Sequence, residues 1–237
     1  MKKRRVLWIV LAALAAVAAL VYLLWGRTYL RRHFRTVTVD RQAAVTGERV
    51  DLGGRRAIAV YFTRVGNSDF ESGVDAVSSA SVVRSENGIA GNAQLMAQWV
   101  AEETGGTLFE IQTAEKYPVD YTETTNVAKA EQNENARPAL AAEIEDFDSY
   151  STVCLVFPNW WGDLPMALYS FFEAYDFTGK TLYVSVTHGG SGFSRTVSTI
   201  EELAPGALVA EGLSVRDSNV PGAEDSVRQW ARETVVS

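Results

Sequence analysis

The chain has 237 residues, enough for one α/β domain and an appendage, and its formal net charge of −7 hides a strong asymmetry. Eight of the 22 basic residues lie within residues 1–36, which hold no acid; the remainder carries 14 basic against 29 acidic groups, a formal charge of −15. A domain so acidic repels nucleic acid and anionic headgroups, so neither is expected as its ligand. The single cysteine, Cys154, excludes an internal disulfide and a Cys-x-x-Cys metal or redox pair.

Val6 to Gly26 is an apolar run without a charge, long enough at about 1.5 Å per residue to span a hydrocarbon core of about 30 Å. Trp8, Tyr22 and Trp25 stand near its ends, as interfacial aromatic belts do. A cleavable leader has a shorter core and a small-x-small site, and neither fits here. Residues 1–26 are therefore read as an uncleaved transmembrane anchor, entering the membrane through residues 6–26. Four basic residues precede the span and four follow it. The amino-terminal amine tips this near tie toward an outward-facing domain on a single-pass cell-membrane protein. Residues 27–56 read as a juxtamembrane spacer, and 57–237 as the domain proper.

Five apolar, β-branched or aromatic runs follow: Ala57–Phe62, Thr107–Ile111, Thr152–Phe157, Thr181–Val186 and Ala207–Val215. Segments with helical spacing separate them. Asn92–Thr104 puts Leu95, Met96, Trp99 and Val100 on one face and stops at Gly105-Gly106. Glu123–Ile144 reads as an acidic helix broken in two at Arg137-Pro138. Pro165–Tyr175 is apolar enough to lie flat on a sheet, and Ser194–Leu203 and Ala223–Val235 complete the set. Alternation of this kind predicts a parallel doubly wound sheet with right-handed crossovers, in strand order 2-1-3-4-5. Ligand loops then lie at the carboxyl ends of the strands.

Three such loops carry suggestive residues. After the first strand come Thr63, Arg64, Gly66 and Asn67, able to turn successive N–H groups toward an anion. No Gly-Lys-Ser/Thr follows and no Gly-x-Gly-x-x-Gly is present, so a phosphate monoester fits better than a nucleoside triphosphate or a dinucleotide. After the third strand, Pro158, Asn159, Trp160, Trp161 and Gly162 offer two adjacent indoles, suited to a flat aromatic ligand. After the fourth come Thr187, His188, Gly189, Gly190, Ser191 and Gly192, whose glycines let backbone approach a ligand closely.

Together these loops resemble the flavodoxin family. The likeness is specifically to membrane-associated or secreted bacterial flavodoxin-like proteins with Pro-x-Trp-Trp-Gly and Thr-x-Gly-Gly-Ser-Gly loops. The match runs from about Arg56 to Ser214 and includes Tyr61-Phe62-Thr63-Arg64-x-Gly66, Gly91-Asn92 and Phe177-x-Gly179-Lys180. The resemblance implies a three-layer fold that binds FMN. It implies Thr63, Arg64, Gly66, Asn67 and Asn92 at the ribityl phosphate and the 158–162 loop along the isoalloxazine. It also implies the 187–192 loop at the pyrimidine edge or other face of that ring. Val65 replaces a threonine of the usual phosphate loop, with Arg64 as a charge-assisted substitute. Asp69–Ala90 stands between that loop and its helix as a flap, with Val74–Val83 read as a short extra strand or turn.

FMN would supply the redox chemistry, and the protein its binding and electrostatics. The −15 charge, with Asp163 beside the tryptophans, predicts a low potential for full reduction of the flavin. His188 is the domain's only histidine, and neither a hydrolytic triad nor a metal cluster is expected. Three readings follow: a membrane-tethered FMN electron carrier; an FMN-dependent reductase passing electrons from NAD(P)H to a quinone; and a flavodoxin-shaped module without its flavin. The electron acceptor is a redox protein or a small molecule.

Overall fold

The computed structural model describes residues 56–70, 81–85 and 88–236, apart from the side chains of residues 84, 85 and 88. The expected span Val6–Gly26, the spacer and the central part of the flap (71–80) lie outside the described residues. No helix among those described is long and apolar enough to cross a membrane.

In chain order the elements are β1 (Ala57–Tyr61), a single helical turn α1 (Arg64–Asn67), β2 (Val82–Ser85), β3 (Gly88–Gly91) and α2 (Asn92–Thr104). Then come β4 (Thr107–Glu110), α3 (Tyr121–Glu134), β5 (Thr152–Pro158), α4 (Met166–Ala174) and β6 (Thr181–His188). α5 (Thr196–Leu203), β7 (Leu208–Arg216), α6 (Glu224–Trp230) and a wide π-helical turn (Ala231–Val236) close the fold.

One sheet runs β4-β1-β5-β6-β7, and every pair in it is parallel. Counting only these strands along the chain, the arrangement is second, first, third, fourth, fifth. The expected numbering shifts because a hairpin, β2–β3, is inserted between the first two. The two strands of the hairpin lie at the end of the segment read as a flap.

Alternation along the strands builds the three layers. Ile58, Val60, Val153, Leu155 and Phe157 face one core with Leu164, Leu168, Phe171 and Phe172, the last three of them on α4. Ala59, Tyr61, Cys154 and Val156 face the other with Leu95, Met96, Trp99 and Val100 of α2 and Val227 of α6. β5 is buried at every position because it has a strand on each side and a helix layer on each face.

The helix expected over Glu123–Ile144 is shorter. Asp120 caps it, accepting from Glu123 N–H at 2.8 Å, and it ends where Asn135 turns left-handed at φ 51°. Pro138 prevents its resumption, and the chain instead runs beside residues 112–114, with Ala114 N–H donating to Ala139 O and Ala141 N–H to Gln112 O. α3 buries only Thr124 and Ala128, so tethers rather than a broad apolar face hold it in place.

Candidate functional site

Because β1, β5 and β6 are parallel, the loops that follow them emerge at one edge. Thr63 is fully buried and extended, at φ −151°, and its hydroxyl donates to Ser81 O at 3.0 Å. Asn67 is fully buried as well. Its Nδ2 donates to Thr63 O and Ile111 O at 2.8 and 2.9 Å, and its Oδ1 accepts from Thr113 N–H and Oγ1 at 2.7 and 3.0 Å. The Asn67 amide thus fastens α1 to the end of β4, and neither group is left for a phosphate. The side chains of Thr63 and Asn67, expected at the phosphate, are thus engaged within the protein.

Close approach requires glycine at Gly91, where a Cβ would lie 2.3 Å from the buried Thr63 hydroxyl; at Gly66 a Cβ would meet only the end of the Glu110 side chain, which can move aside. Asn92 is buried at the start of α2, where its N–H donates to Ser81 O at 3.1 Å.

Arg64 is the exception in this loop. Only 2% exposed, its guanidinium donates through Nη2 to Pro118 O at 3.1 Å and Val119 O at 2.8 Å, while Nε has no acceptor. Among the described residues no carboxylate pairs with it. Burial lowers its pKa from the ordinary arginine value, opposed by Tyr121 and Asp120. A buried cation with an unmatched donor is what an anionic group would complete.

Arg64 lines a pocket of about 320 Å³ with Asn159, Trp160 and Trp161, which brings together residues expected from two separate loops. Its volume lies at the lower end of the ~300–1,000 Å³ range of small-molecule sites. The remaining wall is Ser81 and one side of α3: Tyr121, Thr124, Thr125 and Ala128. Trp160 stands edge-on to Phe62 and Tyr117, at 5.4 and 5.3 Å, and donates from Nε1 to Ser81 Oγ at 3.1 Å. Trp161 is held in the left-handed region, φ 55°, and is 54% exposed. Its Nε1 donates to Thr125 O at 3.0 Å, and Lys129 lies 5.4 Å over the ring. Both indoles are thereby fixed by hydrogen bonds to other residues that line the pocket.

Asn159 joins the second loop to the third. Its N–H donates to Thr187 O at 2.8 Å, its Nδ2 donates to Gly192 O at 2.8 Å, and its Oδ1 accepts Gly162 N–H at 3.0 Å. Pro158 pairs in register with Thr187, which is fully buried. The glycine loop borders this edge, but residues 187–192 do not line the pocket, nor do Thr63, Gly66, Asn67, Asn92, Pro158 and Gly162.

His188 turns into its own loop, its Nδ1 accepting Gly190 N–H at 3.0 Å. That bond needs the neutral imidazole. Burial lowers the His188 pKa from 6.5, with Asp217 raising it and Arg216 lowering it further. A depressed folded-state pKa means the bond's stabilisation is present above the unfolded value and lost as pH falls through the folded one. An NMR titration of the two histidines, His33 and His188, should therefore show His188 with a midpoint below 6.5 and its loop loosening as it protonates.

Asp163 corrects an electrostatic expectation. It is 1% exposed, but Oδ2 pairs with Arg195 Nη2 at 2.6 Å and accepts the Tyr169 hydroxyl at 2.8 Å. Burial, then Asp163, push the Tyr169 phenol up to about 12. A carboxylate matched by a guanidinium adds little negative field beside the tryptophans. The argument for a low flavin potential is left with the net charge of the domain alone.

The α3 wall and Ser81 were not foreseen. Asp120-Tyr121 marks a helix start, but no local signal says that this helix packs over the indoles; Ser81 belongs to no motif. Tyr117, which donates to Glu131 at 3.0 Å, helps fasten α3.

A family profile described as flavodoxin matches residues 83–234. The chain belongs to the flavodoxin family. FMN is the cofactor of that family. In structure the chain is similar to a protein of Bacteroides uniformis ATCC 8492 described as a flavoprotein, at 24% identity and a TM-score of 0.55, covering 76% of this chain and 99% of that one. It is also similar to one of Bacteroides eggerthii DSM 20697 with the same description, at 20% identity and a TM-score of 0.56, covering 77% and 99%. At these identities the likeness speaks for the fold. No curated protein matches the chain in sequence.

Proposed function

We propose that this flavodoxin-family chain binds FMN and serves as an electron carrier tethered to the cell membrane through residues 6–26, its 57–237 domain facing outward. The observation that carries the reading is the pocket itself. It is lined by a buried guanidinium with an unmatched donor, Arg64, and by two hydrogen-bonded indoles, Trp160 and Trp161. A phosphorylated flat ring supplies an anion for the first and an aromatic face for the second.

FMN, when bound, supplies the electron transfer. Arg64 opposes the phosphate charge, the indoles orient the ring and exclude water, and Asn159 keeps the second and third loops together. The redox partner is a protein or a small electron acceptor. The alternative, an FMN-dependent NAD(P)H:quinone oxidoreductase, needs in addition a place for the nicotinamide.

The full-length chain, purified and passed through gel filtration with FMN, should retain yellow colour; a colourless protein would sink the flavin reading. Steady NAD(P)H consumption in the presence of a quinone would select the reductase over the carrier. Protease access to the domain on intact cells tests the orientation.

A further inference from the structure

Among the groups expected to grip a phosphate, most are already engaged. The Thr63 hydroxyl donates to Ser81 O, and both ends of the Asn67 amide are bonded within the protein. Val65 supplies no hydroxyl. Two donors on residues that line the pocket have no acceptor among the described residues. One is Arg64 Nε, which is itself buried.

The other belongs to Ser81, which is 4% exposed and lines the same pocket. A hydroxyl offers one donor and two acceptor positions. Ser81 Oγ accepts the Trp160 indole N–H at 3.1 Å, and among the described residues nothing accepts its own proton. The backbone fixes the residue from two further sides, because Ser81 O accepts both the Thr63 hydroxyl at 3.0 Å and Asn92 N–H at 3.1 Å. Ser81 is thus a junction of the β1 loop, the start of α2 and the tryptophan loop, with one proton to give. A guanidinium and a hydroxyl on one pocket, each with an unmatched donor, favour an anion over a neutral polar group.

We propose that Ser81 is a cofactor-binding residue that holds the FMN phosphate jointly with Arg64, providing the hydroxyl that Val65 lacks. This rests on the FMN reading above. The indole bond orients the hydroxyl oxygen, leaving its proton for a phosphate oxygen, while the Arg64 guanidinium opposes the charge of the same group.

The test compares FMN with riboflavin, which lacks the phosphate, on the full-length chain and its Ser81→Ala, Ser81→Thr and Trp160→Phe variants. Binding is followed by quenching of flavin fluorescence, and the phosphate by its 31P resonance. Ser81→Ala should weaken FMN about tenfold, the size of one charge-assisted hydrogen bond. It should leave riboflavin unchanged and displace the 31P resonance of bound FMN. Ser81→Thr, which keeps the hydroxyl, should restore FMN binding. Trp160→Phe, which removes the indole donor that orients the Ser81 hydroxyl, should lower the ratio of FMN to riboflavin affinity.

Equal weakening of both flavins by Ser81→Ala, or no weakening of either, would overturn the assignment while the FMN reading stands. If Ser81→Ala does not fold, failure of Ser81→Thr to preserve the wild-type ratio overturns it instead. A wild-type chain that takes up neither flavin overturns the functional reading and the Ser81 assignment together.

Discussion

Replacing Asn67 with alanine should lower the unfolding free energy by about 3 kcal/mol. The figure follows from leaving Thr113 N–H and Ile111 O buried without their partner, at roughly 1–3 kcal/mol for each such group. Asn67 is fully buried, and its amide is enclosed by Thr63, Ile111 and Thr113. Asn67→Asp should be no milder. It keeps the acceptor for Thr113 but faces two carbonyls with a carboxylate where the amide donated. Urea unfolding followed by circular dichroism gives the midpoint. A shift too small to measure would mean that the amide is not the fastening between α1 and β4.

The second large effect concerns ligand rather than fold. Arg64→Met should weaken FMN binding by about tenfold to a hundredfold, corresponding to the ~1.5–3 kcal/mol of a hydrogen bond to a charged group. Riboflavin should be affected far less. The stability of the flavin-free domain should change little, because two opposing effects meet there. Val119 O loses its Arg64 donor, while Pro118 O keeps the Thr124 hydroxyl at 2.7 Å, but a buried guanidinium without a carboxylate partner is also removed. Arg64→Lys should recover part of the affinity, since an ammonium carries the charge without the planar fork. Equal loss of FMN and riboflavin affinity would show Arg64 acting through α3, not on the phosphate.

The main sheet was legible in the sequence because its strands announce themselves. Val153 to Phe157 is an uninterrupted apolar run, and a fully buried parallel strand has no polar face to display. α2 was legible to the residue, having an apolar stripe and a glycine pair to end it. The hairpin β2–β3 was not. It has two short strands, and its pairing joins residues across a tight connection that no period marks. α3 was overextended because acidic, weakly amphipathic sequence gives little warning that Asn135 turns left-handed.

The site divides along the same line. The indoles and Arg64, which the structure brings to one pocket, stand out in the sequence because bulky aromatics and a cation in strand-end loops are conspicuous. Thr63 and Asn67 were assigned to the ligand by their chemistry, yet hydroxyls and amides serve buried backbone groups equally well, and only their neighbours decide between the two. Ser81 could not have been found at all. Its importance comes from Thr63, Asn92 and Trp160 converging on it from 18, 11 and 79 residues away.

Asn159 has a practical consequence for anyone who would transplant this edge onto another scaffold. One carboxamide stitches the tryptophan turn to the glycine turn, so the two behave as a single hinged plate and not as independent inserts. Grafting either alone would carry half a seam. A chimera should exchange residues 158–162 and 187–194 as one cassette, with the asparagine included.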